Sequence, residues 1–345
     1  KDNPRLRGIY DARIQIIKLI REFFWRAGFV ETDTPVAVRL ASQEPYLNPV
    51  SAVFHAPNGV TEQFYLRTSP EYGLKKLLAA GYEKIFEIGK VFRDYEEFGR
   101  THNTEFTMIE WYRAPGTLTE IMDDTENLFK FVASQLPLPR GRIKEGVWDR
   151  LSMKEVWQKY LGVNLDEYLE LEKMRELVLA RGFAADPRDA YEDLFFKIFL
   201  NEIEPKLGAE WPVFVYDYPQ QMTSLNRLCE HDQRYAERFE LYIGGLELAN
   251  AFGELTDAAE QKKRLEEDKN KRLGAGKPVW GVDPDFIAAI AGLPEAARQD
   301  MAGIALGVDR MVLLFTGARD INEVMFQSVK DQIENINVKF PMSNQ

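Results

Sequence analysis

The chain has 345 residues, a formal net charge of −11 and 45% hydrophobic content, enough for a sizeable core in one large domain or two smaller ones. No apolar run approaches the roughly 18 residues that span a bilayer, and no charged-then-apolar leader opens the chain. The acidic balance argues against a bulk nucleic-acid binder, although a local basic patch stays open. A single cysteine, Cys229, excludes an internal disulfide framework and fits a reducing cytosol. Three scattered histidines, His55, His102 and His231, argue against a zinc site.

In chain order, residues 9–27 carry Ile9, Ile16, Ile17, Ile20 and Phe24 at helical spacing, with Gly28 as C-cap and Thr34-Pro35 as a break. Ile85–Phe92 and Phe106–Tyr112 read as strands of a hairpin with a long polar loop. Residues 117–135 read as a helix, and Pro137-Leu138-Pro139-Arg140-Gly141 as an internal boundary. Residues 150–208 carry three amphipathic helices, read as an insertion. Phe239–Ile243 and Glu247–Phe252 pair across Gly244-Gly245, and a charged helix follows over Asp257–Leu273. Gly274-Ala275-Gly276-Lys277 is a loop rather than a P-loop, because Pro278 stands where Ser or Thr is required.

Chemistry-bearing residues gather in four places. Gly303-Ile304-Ala305-Leu306-Gly307 is a small-residue strand that stops at Asp309-Arg310. There a guanidinium is aimed above the strand end, as a polyphosphate site requires. Taken alone, the same turn fits a structural role with a surface ion pair. Arg93, Arg100 and His102 on the first hairpin could surround a triphosphate, with Phe106 stacking on a purine; a surface hairpin is the plain alternative. Glu240 and Glu247 come together across Gly-Gly and repel unless a cation such as Mg²⁺ lies between them. Glu71, Glu110 and Glu254 are acids in apolar runs, and would form a receptor for an amine if they converge.

These segments together resemble the catalytic domain of a class II aminoacyl-tRNA synthetase of the lysine branch, over nearly the whole chain. Arg21–Pro35 (REFFWRAGFVETDTP) is similar to the first class motif, IFEIGKVFRDYEEFGRTHNTEFTMIEWY to the second and GIALGVDRMVLLF to the third. RFELYIGGLELANAFGELTDAAEQ is similar to the lysyl enzymes' metal and amino-acid segment. The resemblance implies an α+β fold with a six-stranded, mainly antiparallel sheet flanked by helices, and a homodimer. It implies that Arg93 holds the α-phosphate, that His102 and Arg310 hold the outer phosphates, that Arg100 belongs to the ATP-binding set, and that Phe106 stacks on adenine. Glu240 and Glu247 would bind Mg²⁺. Glu71, Glu110, Tyr112, Asn250, Phe252, Glu254 and Ala305 would line the amino-acid pocket. No protein nucleophile is needed: a carboxylate attacks the α-phosphorus of ATP in line.

The chain departs from the lysyl-tRNA synthetase pattern at several points. Position 95 is Tyr where the second motif has Glu, leaving Glu96 as the nearest acid. Ala249 and Ala251 flank Asn250 in place of glycines, and Ala305 replaces the first glycine of Gly-x-Gly. Glu323–Val329 replaces the usual proline-arginine ending, and no anticodon-binding barrel precedes the first helix. These departures resemble the elongation factor P lysine ligases, truncated synthetase paralogues. Resemblance to that family implies a cytoplasmic enzyme acting on lysine, preferentially (R)-β-lysine, with a lysine of elongation factor P rather than tRNA as acceptor. Two other readings stay open: a lysyl-tRNA synthetase core without its anticodon domain, and a non-catalytic paralogue.

Overall fold

The computed structural model describes residues 3–96, 99–136 and 147–335; the Pro137–Gly141 boundary lies outside them. Helix α1 (Pro4–Arg26) starts earlier than the apolar spacing suggests. The Asn3 side chain accepts from Arg5 N and Leu6 N, and Pro4 takes the first turn, where its missing N–H costs nothing. Short strands β1 (Val30–Glu31) and β2 (Ala37–Val38) follow, then the hairpin β3 (Val50–His55) and β4 (Thr61–Leu66) and helix α2 (Glu71–Ala79). The hairpin of β5 (Lys84–Phe92) and β6 (Glu105–Arg113) leads into α3 (Leu118–Gln135), which a Thr117–Glu120 capping box starts.

Strand β7 (Asp149–Ser152) opens the helical stretch α4 (Met153–Leu161), α5 (Leu171–Ala180) and α6 (Tyr191–Ile198), as the amphipathic spacing predicts. Then come β8 (Val213–Pro219), β9 (Tyr235–Ile243), β10 (Leu246–Gly253), α7 (Ala258–Gly274), α8 (Pro284–Ala291), α9 (Glu295–Gln299), β11 (Ala302–Gly307), α10 (Val308–Thr316) and α11 (Val329–Asn335). Gly244 and Gly245 both have positive φ, 67° and 74°, as the two-residue turn between β9 and β10 demands.

The main sheet has eight strands in the order β1-β5-β6-β11-β10-β9-β8-β7, not six. The six in the middle pair antiparallel throughout. The additions, β1 and β7, are two and four residues long and pair parallel at the edges. Segments that short carry no readable alternation, which is why the sequence hides them. A separate three-stranded sheet, β2-β4-β3, was also not anticipated.

One sheet face is covered by α1, α3 and α10. There the Phe24 ring lies 5.0 Å from Phe86 and 4.9 Å from Trp111, and Ala249, Ala251, Ile304 and Leu306 complete the layer. The other face is covered at its two ends only. Helices α4–α6 build a core against Val213, Val215 and Tyr242, while α2, α7 and α8 pack over Ile85 and Tyr112. Between them the sheet floor is open to a cavity of about 240 Å³.

Candidate active site

Strand register builds the cavity floor. Glu110 of β6, Ala305 of β11, Asn250 of β10 and Glu240 of β9 lie side by side in one row across the sheet. The adjacent row on the same face holds Tyr112, Gly303, Phe252 and Arg238. Side chains two residues apart on a strand share a face, so residues far apart in the chain converge here. Ala249 and Ala251 pack into the core of the opposite, helix-covered face, with Ala249 also touching the cavity beside Asn250. Of the three alanines that depart from the lysyl pattern, Ala305 is the one set in the cavity floor, between Asn250 and Glu110.

At one end the cavity wall is acidic. Ser69 Oγ donates to Glu110 Oε1 at 2.6 Å and Tyr112 OH donates to Glu110 Oε2 at 3.1 Å. Lys75, fully buried on α2, bridges Glu71 Oε1 and Glu254 Oε2, each at 2.5 Å. Burial, and then the charge of Glu71, pushes the Glu110 carboxyl up to about 8. Burial likewise raises Glu254 to about 7 against the opposing pull of Lys75. Glu254 Oε1 is buried without a hydrogen-bond partner. Gly303 makes this end possible: a Cβ there would fall 2.1 Å from the Tyr112 ring and 2.8 Å from Glu254 Oε1.

The other end is cationic. Arg93 leaves the tip of β5 with its guanidinium carbon 5.1 Å from the Phe106 ring centroid, and its buried Nε has no hydrogen-bond partner. Arg310 Nη1 donates to the Glu247 carbonyl at 2.8 Å, and Nη2 lies 2.8 Å from His102 Nε2. The aim of Arg310 is set one residue earlier. Asp309 is buried at the start of α10, accepts from Thr107 N at 2.6 Å and is paired with Arg13 of α1. That pairing holds α1, β6 and α10 in one arrangement.

Glu240 and Glu247 are not a bare repelling pair. Glu247 lines the cavity, whereas the Glu240 carboxylate accepts from Arg238, Tyr218 OH and Tyr242 OH. Burial, and then the charge of Glu240, still holds the Glu247 carboxyl above its ordinary value. Tyr95 is 87% exposed with φ of 60°, and the next residue, Glu96, lines the cavity, so Glu96 is the acid of this turn that faces the site. Arg100 is exposed and outside the cavity wall; its carbonyl accepts from Ile321 N at 2.8 Å.

Several site residues escaped sequence reasoning. Ser69 lies within the quoted Thr-Ser-Pro-Glu, and Lys75 stands four residues after Glu71, the spacing at which helical side chains meet. Arg238, two residues before Glu240, sends its Nε to Asn250 Oδ1 at 3.2 Å and lies 4.4 Å over the Tyr218 ring. Glu44 and Leu47 close the cavity from a strap, and no periodic signal marks them. Arg272 Nη1 pins that strap through the carbonyls of Glu44 at 2.8 Å and Leu47 at 2.6 Å, and Lys277 Nζ reaches Pro45 O at 2.7 Å. The Gly-Ala-Gly-Lys run thus ends in a strap anchor.

A concave site with acids at one end and arginines at the other suits a molecule carrying ammonium groups and a phosphate-activated carboxyl. Comparison with known proteins decides which family built it. The sequence profile of the class II tRNA synthetases (D, K and N) matches residues 2–329. The chain belongs to this family. Within it, the chain is 38% identical over 316 residues to elongation factor P–(R)-β-lysine ligase of Haemophilus influenzae, covering 91% of this chain and 92% of that protein. The ligases of the same name from Proteus mirabilis and Edwardsiella ictaluri are 36% and 38% identical, over 91% and 92% of this chain and 92% and 94% of theirs. This class II synthetase fold therefore belongs with the elongation factor P lysine ligases, an ATP-using ligase group. Among the described residues no helix is long and apolar enough to cross a membrane.

Proposed function

We propose that the protein activates a lysine, (R)-β-lysine in preference to the α-isomer, as an acyl-adenylate and transfers the acyl group to a lysine side chain of elongation factor P. The observation that carries this reading is the polarity of one cavity. Glu71, Glu110 and Glu254 stand at one end, and Arg93, Arg310 and His102 at the other. The acids pair with the substrate's ammonium groups, and Asn250, Phe252 and Ala305 bound its chain. Phe106 stacks on adenine, while Arg310 and His102 meet the outer phosphates.

Arg93 lies against the α-phosphate, where its unpartnered Nε gains an acceptor. A carboxylate oxygen of the substrate forms the new bond to the α-phosphorus and pyrophosphate leaves. Arg93 and Arg310 stabilise the charge that develops, with no protein nucleophile. The amine of the acceptor lysine then attacks the acyl carbon and AMP leaves. Glu247 lines the cavity and offers the oxygen donors Mg²⁺ takes, while Glu240 would join it only by giving up one of its hydrogen bonds to Arg238, Tyr218 or Tyr242; a bound ion would neutralise phosphate charge.

The reading includes one catalytic domain with a helical insertion at 150–208, a cytoplasmic location, and a homodimer in which tRNA is not the acceptor. ATP–pyrophosphate exchange tests activation: (R)-β-lysine should stimulate it more than α-lysine. Transfer of the acyl group to elongation factor P, and not to tRNA, tests the acceptor. Exchange indifferent to either lysine would overturn the reading, and charging of tRNA would replace it with that of a lysyl-tRNA synthetase core.

A further inference from the structure

Far along the sheet, near the β8 edge, lies a group of side chains that adenylate chemistry does not use. The pairing of β8 with β9 slips between Tyr216 and Tyr218, and the residue at the slip, Asp217, has φ of 60°. A bulge of this kind redirects a side chain. Here the carboxylate turns to the segment that precedes β9, where Leu228 bridges Ala236 and Cys229 N donates to Tyr235 O at 2.9 Å. Cys229 Sγ lies 3.3 Å from Asp217 Oδ1, and His231 Nε2 lies 3.1 Å from Asp217 Oδ2. One donor atom from each of the three lies within 4.8 Å of the other two. Cys229 is buried and Asp217 half-buried, while His231 is exposed.

We propose that Asp217, Cys229 and His231 form a site for one thiophilic divalent transition-metal ion, of which zinc is the best match. Thiolate, imidazole and carboxylate are the three protein donor types that zinc takes, whereas Mg²⁺ and Ca²⁺ prefer oxygen alone. Zinc bond lengths of about 2.0–2.3 Å make the edges of its tetrahedron roughly 3.3–3.5 Å long. Cys229 Sγ and His231 Nε2 each lie near that length from the Asp217 carboxylate, one on Oδ1 and the other on Oδ2, and the three donor atoms fall within 4.8 Å of one another, so the exposed imidazole moves inward by about 1 Å to complete the face. The Cys229 thiol donates to Asp217 Oδ1, so two electron-rich groups face each other with a thiol proton between them.

An arriving ion takes the place of that proton, which leaves to solvent. No group changes oxidation state. Exposure of His231 leaves the fourth coordination position to water. The ion would also fix the segment that backs the amine end of the cavity. Three residues before Cys229, Asn226 bridges Glu254, and Arg227 N donates to Gly253 O at 2.8 Å. The scatter of the three histidines hides this group in the sequence. Only the bulge at Asp217 joins it to the Cys229-x-His231 pair.

Because the chain has one cysteine, a thiolate-to-cobalt charge-transfer band reports on this site and no other. Titration of chelator-treated full-length protein with Co²⁺ should raise that band to saturation at one ion per chain, and Zn²⁺ should then abolish it. His231→Ala changes an exposed residue and leaves the fold intact by circular dichroism. It should weaken Co²⁺ binding by at least the ~10–100-fold that loss of even an outer-shell partner costs. Cys229→Ser should remove the band. Absence of the band in folded protein under excess Co²⁺ overturns the proposal. So does a band whose affinity is unchanged by both His231→Ala and Asp217→Asn, since it marks a simple thiol adduct. Neither result depends on whether the cavity makes adenylates.

Discussion

Glu110 holds a proton where an ordinary carboxyl would not. Its folded value of about 8 and that of Glu254 of about 7 both stand above 4.5. From about 4.5 up to these values the folded protein keeps protons that the unfolded chain has released, so stability falls as pH rises through that window. Binding runs the other way, because an ammonium group wants the carboxylate form. Between pH 6 and about 8 the KM for the lysine substrate should therefore fall while the ligand-free melting temperature falls too, as exchange kinetics and thermal unfolding would report. A KM flat across this range would mean that these acids do not meet the substrate. Ala305 offers a second residue-scale measure, since its methyl sits between Asn250 and Glu110. Ala305→Gly frees a volume worth about 0.8 kcal/mol per methyl, roughly fourfold in relative affinity, and more where the pocket is tight. The preference for β- over α-lysine in pyrophosphate exchange should drop by that factor; an unchanged preference removes Ala305 from the selectivity argument.

Among the elements, β11 and the turn into α10 carry the most. Gly303→Ala puts a Cβ into the Tyr112 ring and against Glu254, and overpacking of this kind costs about 1–3 kcal/mol. Its expected signature is a raised KM for lysine with the KM for ATP little changed, because only the amine end is disturbed. At the turn itself, Asp309→Asn strips the charge partner from a buried arginine. Arg13 is 9% and Asp309 2% exposed at the side chain, and breaking such a pair costs about 3–5 kcal/mol. Chemical denaturation should show that loss.

The positions of Arg93, Arg310, Glu110 and Glu254 are legible because each is tied to a local pattern: a hairpin, a small-residue strand that stops at Asp-Arg, an acid in an apolar run. What stayed hidden was partnership between elements. Nothing local shows that Glu240 is already served by Arg238, Tyr218 and Tyr242, or that Asp309 belongs to Arg13 as much as to its own helix. Arg100 stands apart from these, since the composition of its loop suggests a phosphate contact while its side chain is exposed and outside the cavity wall.

Taken whole, the molecule leaves a band of apolar side chains uncovered. Leu6, Tyr10, Ile14 and Trp25 form a stripe along the outer side of α1, and Val30 and Val36 are exposed just after it in the chain. A band of this kind is what an interface covers, and Trp25 and Val30 lie in the segment similar to the first class II motif. Sedimentation velocity should give a dimer, and the Ile14→Glu/Trp25→Glu double variant should sediment as a monomer with secondary structure retained. A wild-type monomer at micromolar concentration would assign the band another partner.

Lys75 gives the cavity an arithmetic of its own. The protein supplies three carboxylates at the amine end and then answers one of them itself, with a side chain that has no exposed surface. On the proposed reading, what remains matches two positive charges once Glu110 and Glu254 release their protons, the number on a diamino acid. A guest with one amine leaves a carboxylate stranded away from water, and one with a third finds no counterpart. On that reading the site would sort amino acids by counting their charges before it measures their shape.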